Sequence, residues 1–245
     1  MRRYLQLILL LTMTTTSALS QSDFKTQQLK FERVKTAYDQ KWDNLKNELS
    51  KKGVDGPFKL FMTAYKSEGK LEVWLQTESQ KQYKHFKTYN FCEHSGTLGP
   101  KTKEGDRQTP EGFYHISAFN PKSNFYLSLG INYPNSVDRL RSGEDKPGSD
   151  IYIHGSCVTI GCIPLTDEKI KEVYVLAVEA RNSGQTNIPV YIFPFKMTER
   201  NFKKHTAQYP IQTKFWQSLQ PGYAYFEKNR TLPKVIQVKG NYLTK

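Results

Sequence analysis

The sequence predicts a mostly β fold with flanking helices, and three observations carry this prediction. Short runs of strand length, bounded by Gly, Pro, Asn or Asp, fill much of the chain between residues 58 and 154, as is typical of a β-rich domain. Clear helical periodicity is confined to residues 23–50 before these runs and to residues 166–181 after them. The length of 245 residues suits one domain with appendages.

The first 20 residues have the three parts of a secretory signal peptide. Arg2 and Arg3 form a basic start, an apolar run covers residues 5–13, and Ala18-Leu19-Ser20 is a small-residue cleavage site. The run is shorter than the about 20 apolar residues that span a bilayer, and no later segment approaches that length. We therefore predict an exported protein with no integral membrane span after signal cleavage.

The next elements are an N-terminal helix with its linker, residues 21–57, and then strands. The apolar residues of the predicted helix recur every three or four positions, at Phe31, Val34, Tyr38, Trp42 and Leu45. Gly53, Gly56 and Pro57 end this pattern. The predicted strands that follow are residues 58–65, 70–76, 82–91, 112–117, 124–130 and 150–154.

A second helix and a C-terminal extension complete the prediction. Thr166 is a suitable N-cap, and Asp167 and Glu168 favour a helix start. Gly184 ends that helix, and residues 188–193 form a last strand of the body, residues 58–195. The extension, residues 196–245, is basic and aromatic, with weaker helical patterning at 202–219 and a strand at 235–238.

The chain is basic, with a formal net charge of +13. Removing Arg2 and Arg3 with the signal leaves +11, and residues 196–245 carry ten Lys or Arg against two Glu. Such a surface favours anionic partners, or it is simply a solvated basic face. Export argues against nucleic acid as the partner.

The decapeptide IHGSCVTIGC, residues 153–162, holds two of three cysteines and one of five histidines. His154, Cys157 and Cys162 could supply three zinc ligands, but the chain lacks the Cys-x-x-Cys pairs of a zinc site. Three cysteines in an exported protein leave one unpaired, and the count does not identify it. The third interpretation is a nucleophile with its base.

Local chemistry selects Cys162 as the nucleophile. Gly161 allows close approach of another backbone or a substrate, and the helix that begins a few residues later is expected to lower the pKa of the thiol. Cys157 has no glycine beside it. His154 is the candidate base, since imidazole exchanges protons near neutral pH; a hydrogen-bonded histidine at a strand end is the structural alternative.

These residues resemble a known family. Ile153-His154-Gly155 with Thr159-Ile160-Gly161-Cys162-Ile163 is similar to the active-site signature of L,D-transpeptidases of the YkuD type. The short interval between histidine and cysteine is most similar to the YafK-like murein L,D-transpeptidase branch. Further similarity lies in residues 95–101, 104–114, 133–138 and 166–174, so the resemblance covers residues 65–195.

The resemblance implies a compact, β-sandwich-like catalytic domain and a cysteine acyltransferase that acts on peptidoglycan stem peptides. Cys162 is then the nucleophile, and His154, oriented by a backbone carbonyl, the base and later the acid. The backbone N–H groups of Gly161 and Cys162 become the oxyanion donors. The candidate residues of the substrate groove are Gly155, Thr159, Ser95 and His94.

The resemblance also implies the remaining expectations. No cofactor and no metal are expected, and the location is the periplasm or cell envelope. With Cys162 as the nucleophile, Cys92 and Cys157 are expected to form the disulfide. The resemblance is compatible with two reactions, transpeptidation and hydrolysis. If the reaction is hydrolysis, a wall-anchored protein is a further expected partner.

Two departures from the broader family pattern bear on the reaction. Many relatives have histidine where Ile160 stands and arginine where Pro164 stands, which puts the standard cross-linking role in doubt. The alternatives are a catalytically inactive wall-binding protein, which holds its polymer with surface aromatics of the basic extension, and a thiol redox protein that uses Cys157 and Cys162.

Overall fold

The structure is a computed structural model and describes residues 21–245; the predicted signal peptide lies outside this range. The N-terminal segment forms two helices, α1 (Gln21–Leu29) and α2 (Glu32–Lys51), where the sequence predicts one. The helices separate at Lys30 and Phe31, and Phe31 has extended backbone as the N-cap of α2. No Gly or Pro marks this break, which explains why periodicity alone misses it.

The body contains eight strands. They are β1 (Phe58–Tyr65), β2 (Lys70–Thr77), β3 (Lys84–Asn90), β4 (Gly112–Asn120), β5 (Ser128–Ile131), β6 (Tyr152–His154), β7 (Ile163–Pro164) and β8 (Pro189–Phe193). The helices of the body are α3 (Ser136–Ser142) and α4 (Asp167–Asn182). The strands join in the order β3-β2-β1-β8-β4-β5-β6-β7.

This sheet curls at β4. One part runs from β3 to β4 with β1 parallel to β8, and the other runs from β4 to β7 with β6 parallel to β7. The register between β4 and β5 shifts between Ile116 and Ala118, and such irregularities bend a sheet. The prediction of a mostly β fold with flanking helices is confirmed.

Helices α1, α2 and α4 cover one face of the sheet. Helix α4 is buried over most of its length, and Val173, Tyr174 and Leu176 have no exposed surface. Tyr174 donates a hydrogen bond to Gln28 of α1, and Tyr38 of α2 donates to Glu179. Each buried Val or Leu contributes about 1.5–3 kcal/mol, so this face is a major part of the core.

The C-terminal extension covers the opposite face. It consists of α5 (Glu199–Gln208), a 3-10 turn (Pro210–Gln212), α6 (Thr213–Asn229), β9 (Val235–Val238) and β10 (Asn241–Thr244). Its aromatic residues pack on aromatic residues of the sheet; those buried are Phe215, Trp216, Tyr223, Phe226 and Tyr242. The expectation of a surface of aromatics for wall binding is therefore wrong for these residues, because they complete the hydrophobic core.

Two predicted elements differ in extent. Residues 124–127 form a turn rather than the start of β5, because Tyr126 adopts a positive φ and Ser123 Oγ accepts from Phe125 N. The predicted helical stretch 202–219 is two helices separated at Pro210, and α6 continues through the exposed Pro221. Among residues 21–245, no helix is both long and apolar enough to cross a membrane.

Candidate active site

The decapeptide lies where β6 ends and β7 begins. Strands β6 and β7 are parallel, with Ile153 paired to Ile163, so the loop of residues 155–162 returns the chain to the same edge of the sheet. Cys157 in this loop is bonded to Cys92, with Cα atoms 5.4 Å apart, and Cys162 is free. The predicted disulfide is confirmed, and with Cys157 bonded neither the dithiol pair nor the His-Cys-Cys metal set is available.

The Cys162 thiol is held at the sheet edge by backbone groups. Tyr152 N donates to Sγ at 3.4 Å, and the thiol donates to Asp150 O at 3.5 Å. Burial raises the pKa of this thiol above its ordinary value, the Tyr152 N–H and Lys101 acting in the opposite direction. The expectation of a lowered pKa is wrong for this state, because desolvation outweighs the favourable dipoles and charge.

His154 lies two residues beyond Tyr152 on β6, and its side chain is buried. Its Nδ1 is 2.5 Å from Gly155 O, which fixes the tautomer with Nδ1–H as donor and Nε2 as acceptor. Phe125 packs over the ring at 4.6 Å between centroids, and burial lowers the pKa of His154. The prediction of a backbone carbonyl as its partner is confirmed. Among the described residues, the hydrogen-bond partners of the thiol are Tyr152 N and Asp150 O, and that of His154 Nδ1 is Gly155 O, so no hydrogen bond joins the thiol to His154 in this state.

Two hydrogen bonds of Thr159 stabilise the turn that contains Cys162. Its Oγ1 donates to Cys162 O at 2.9 Å and accepts from Gly161 N at 3.1 Å. Gly161 has φ +140°, and a Cβ there would lie 2.8 Å from Gln108 O, so a glycine is required by the close approach. Of the two predicted oxyanion donors, the Gly161 N–H thus already donates to Thr159 Oγ1, so the Cys162 N–H is the stronger candidate for that role.

A cleft of about 340 Å³ opens beside Cys162. Residues of the 93–98 segment form one side, and His94 and Ser95 are among them. Residues His205, Gln208 and Tyr209, at the end of α5, form another. Gly155 is buried against Asp167 and Ile170 of α4, and neither it nor Thr159 lines this cleft.

The contribution of α5 is the part of the site that sequence reasoning misses. The helix contains no residue buried in the core, so its apolar pattern gives little indication of where it packs. His205 stacks on Phe195 with ring centroids 4.3 Å apart. The only sequence signal is the pair His205 and Tyr209, four residues apart and therefore on one side of the chain.

A buried network ties both ends of the loop of residues 95–111 to Lys66. Lys66 Nζ donates to Gly99 O, Thr109 O and Glu111 Oε1 at 2.7, 2.8 and 3.0 Å. Glu111 has no exposed surface, and its Oε2 accepts from Trp216 Nε1 at 2.7 Å. The network therefore connects the turn that follows β1, the loop of residues 95–111 and α6.

Comparison with known proteins agrees with this architecture. Residues 63–192 match the YkuD family, the L,D-transpeptidase catalytic domain. YafK of Escherichia coli strain K12, whose name describes it as an L,D-transpeptidase, is 37% identical over 186 residues, which are 75% of this chain and 73% of YafK. The chain belongs to the L,D-transpeptidase catalytic domain family and is accordingly an enzyme that acts on peptidoglycan.

Two solved structures are also similar. The helical cell shape determining protein Pgp2 of Campylobacter jejuni is 16% identical with a TM-score of 0.45, over 75% of this chain and 74% of that chain. Bd1075 of Bdellovibrio bacteriovorus is 19% identical with a TM-score of 0.41, over 77% and 83%.

Proposed function

We propose that this chain is an exported enzyme that opens peptidoglycan stem peptides through a thioester on Cys162. The observation that carries the proposal is the free Cys162 thiol on the wall of a cleft, within the segment that matches the family. The proposed scissile bond joins the L-centre of the diamino acid at stem position three to the group at position four.

In the first half-reaction, the thiol leaves Asp150 O and gives its proton to His154 Nε2. The sulfur attacks the carbonyl carbon, and the Cys162 N–H donates to the oxyanion, a contribution of about 3 kcal/mol for one such donor. The tetrahedral intermediate collapses to a thioester, and His154 returns the proton to the departing amine. This amine belongs to D-alanine or to another group attached at stem position four. The Nδ1–H bond to Gly155 O supports this role because it keeps Nε2 as the acceptor.

In the second half-reaction, an amine or water attacks the thioester, and His154 again transfers the proton. Attack by an amine gives a cross-linked peptide, and attack by water makes the protein a hydrolase that releases groups attached at the third residue. The cleft borders both Cys162 and α5, which supports a binding role for His94, Ser95, His205 and Tyr209. Location in the periplasm or cell envelope follows from the proposed substrate and signal peptide.

The test is digestion of purified muropeptides, including peptides joined to a wall-anchored protein, by the mature protein. Cys162→Ala is the inactive variant and Cys157→Ala the matched cysteine control. We expect the Cys162→Ala variant to form no product. The Cys157→Ala variant should form product at a reduced rate. Product masses then distinguish water from amine as the acceptor. Binding without any product, in protein with a demonstrably free Cys162 thiol, would instead establish the inactive wall-binding protein.

A further inference from the structure

Helix α2 contacts the segment that covers His154 through an arginine that the reaction above does not use. Arg33 is the second residue of α2. Its Nη1 donates to Ser123 O at 2.6 Å and to Tyr126 O at 2.8 Å. Both carbonyls belong to residues 123–127, the end of the connection from β4 to β5, which we call the covering turn. Hydrogen bonds from a charged donor are stronger than neutral ones, so one guanidinium fastens two points of this turn.

The covering turn lies directly on His154 and on the residue after it. Phe125, which stands between the two fastened carbonyls, packs on the imidazole with ring centroids 4.6 Å apart. Gly155 N donates to Leu127 O at 3.1 Å, and a Cβ on Gly155 would lie 2.9 Å from Phe125 O. Gly155 O is in turn the hydrogen-bond partner of His154 Nδ1. The position of the covering turn therefore sets both the cover of the imidazole and the carbonyl that orients it.

The covering turn has a backbone conformation that needs support from its surroundings. Tyr126 has φ +69°, a left-handed conformation that is costly for a residue with a Cβ and that persists where neighbouring groups hold it. Inside the turn, Ser123 Oγ accepts from Phe125 N at 3.0 Å. From outside, Arg33 Cζ and Lys171 Nζ lie 5.7 and 5.4 Å from the centre of the Tyr126 ring. The turn is thus held by α2 and α4 as well as by its own residues.

His154 is 1% exposed, and Phe125, which packs on its ring, is 41% exposed. Burial lowers the pKa of His154, and the hydrogen bond to Gly155 O acts in the opposite direction. Loss of the cover would admit water to the ring and favour its charged form. The charged and titratable groups on the elements packed around His154 are Arg33 of α2, Lys122 and Tyr126 at the covering turn, Tyr152 of β6, Cys162 after the nucleophile loop, and Asp167, Glu168 and Lys171 of α4.

We propose that Arg33 is a positioning residue for His154: by fastening the covering turn it holds Phe125 over the imidazole and Gly155 O against Nδ1, so that the ring stays fixed and shielded from water for proton transfer. The proposal rests on the proposed function only in taking His154 as the base. The N-terminal helix α2 is then a working part of the active site, in addition to its packing on α4.

The experiment titrates the histidine ring signals by NMR between about pH 4 and pH 8, in mature protein with the disulfide intact; the His154 signal is the one absent from His154→Gln. For Phe125→Ala we expect the pKa of His154 to rise towards its ordinary 6.5, because water reaches the ring. For Arg33→Met we expect a smaller rise and a kcat about threefold to tenfold below wild type at nearly unchanged KM. Lys30→Met is the matched control, because it removes a cation of the same N-terminal segment that bonds to Gln27 instead, and it should change neither quantity.

The double variant separates the clamp from simple loss of a positive charge, which would also raise the pKa of His154. If Arg33 acts through the covering turn, Arg33→Met should add nothing in the Phe125→Ala background, whereas a charge effect would add in full. Additive shifts would overturn the proposal. So would an Arg33→Met chain in which the midpoint of unfolding falls and the titration of His154 is unchanged, because that is a merely structural role. The titration needs no peptidoglycan, so its outcome is separate from failure of the muropeptide assay.

Discussion

Two lysine–carboxylate pairs hold the loop of residues 95–111, and their surroundings differ. Lys66 and Glu111 are 7% and 0% exposed, and hydrogen bonds occupy all three protons of the lysine. Lys101 and Asp106 are 5% and 18% exposed, and the lysine donates hydrogen bonds to Lys103 O and Asp106 Oδ1. The first pair is almost fully buried and connects the loop to Trp216 of α6, whereas Asp106 of the second pair accepts hydrogen bonds from backbone N–H groups of the loop itself. The first pair thus fastens the loop to the rest of the protein, and the second fixes the internal conformation of the loop.

The largest expected effect comes from breaking the enclosed pair. Glu111→Gln keeps the size of the side chain but leaves the Lys66 charge buried without a counterion, and we expect a loss of about 3–5 kcal/mol in the free energy of unfolding. Urea denaturation measures it. Glu227→Gln, which breaks the half-buried surface pair with Arg230, is the control and should cost less than about 1 kcal/mol. Equal losses in the two variants would contradict the structural role of Glu111.

A second prediction concerns the disulfide that joins Cys92, just before the 93–98 segment of the cleft, to Cys157 in the loop of residues 155–162. Cys92 and Cys157 are separated by 65 residues, and closing a loop of that length stabilises a fold by about 4 kcal/mol in the chain-entropy model. We expect the double variant Cys92→Ser, Cys157→Ser to lose about 2–4 kcal/mol and to leave Cys162 alkylated faster, because the loop is freer. An unchanged midpoint of unfolding would show that packing alone holds the two segments together.

A third prediction, with a smaller expected effect on stability, concerns Gly161, which directly precedes Cys162. Gly161→Ala should lose about 2–3 kcal/mol and most turnover, because the new Cβ would meet the Gln108 carbonyl and displace Cys162. Gly105→Ala is the matched control: Gly105 also has a positive φ, but nothing lies within 4 Å of a Cβ there. It should cost about 1 kcal/mol, for backbone strain alone. Equal costs would mean that the contact with Gln108 is unimportant.

The pH dependence of Cys162 reactivity can be measured in the wild-type protein, without any mutation. Burial raises the pKa of Cys162 above its ordinary 9.0 and lowers that of His154 below its ordinary 6.5. At neutral pH both groups are therefore uncharged. Alkylation of Cys162 should continue to rise above pH 9, and the acid limb of turnover should have its midpoint below 6.5. A plateau of alkylation between pH 6 and 8 would instead indicate a preformed thiolate–imidazolium pair.

Much of the body could be predicted because its signals are local. Strand β1 and helix α4 follow directly from turn residues, caps and periodicity. The prediction that Cys162 is the nucleophile came from Gly161 and the family signature. With that role given to Cys162, the two remaining cysteines were expected to form the disulfide, and the structure contains it.

What the sequence does not predict depends on tertiary packing. Helix α5 forms a wall of the cleft through contacts with Phe195, and Trp216 of α6 reaches Glu111 across 105 residues. The raised pKa of Cys162 was also missed, because desolvation depends on every neighbour of the thiol and not on the nearby helix alone.

The most direct test of the central assignment is intact mass spectrometry of the mature protein after brief incubation with a stem tetrapeptide, beside Cys162→Ala. We expect a mass increase equal to the acyl tripeptide, that is, the tetrapeptide less D-alanine, on the wild-type chain. Hydroxylamine should remove it, as it removes a thioester. Retention of the adduct in Cys162→Ala, or product formation by that variant, would contradict the assignment of Cys162 as the nucleophile.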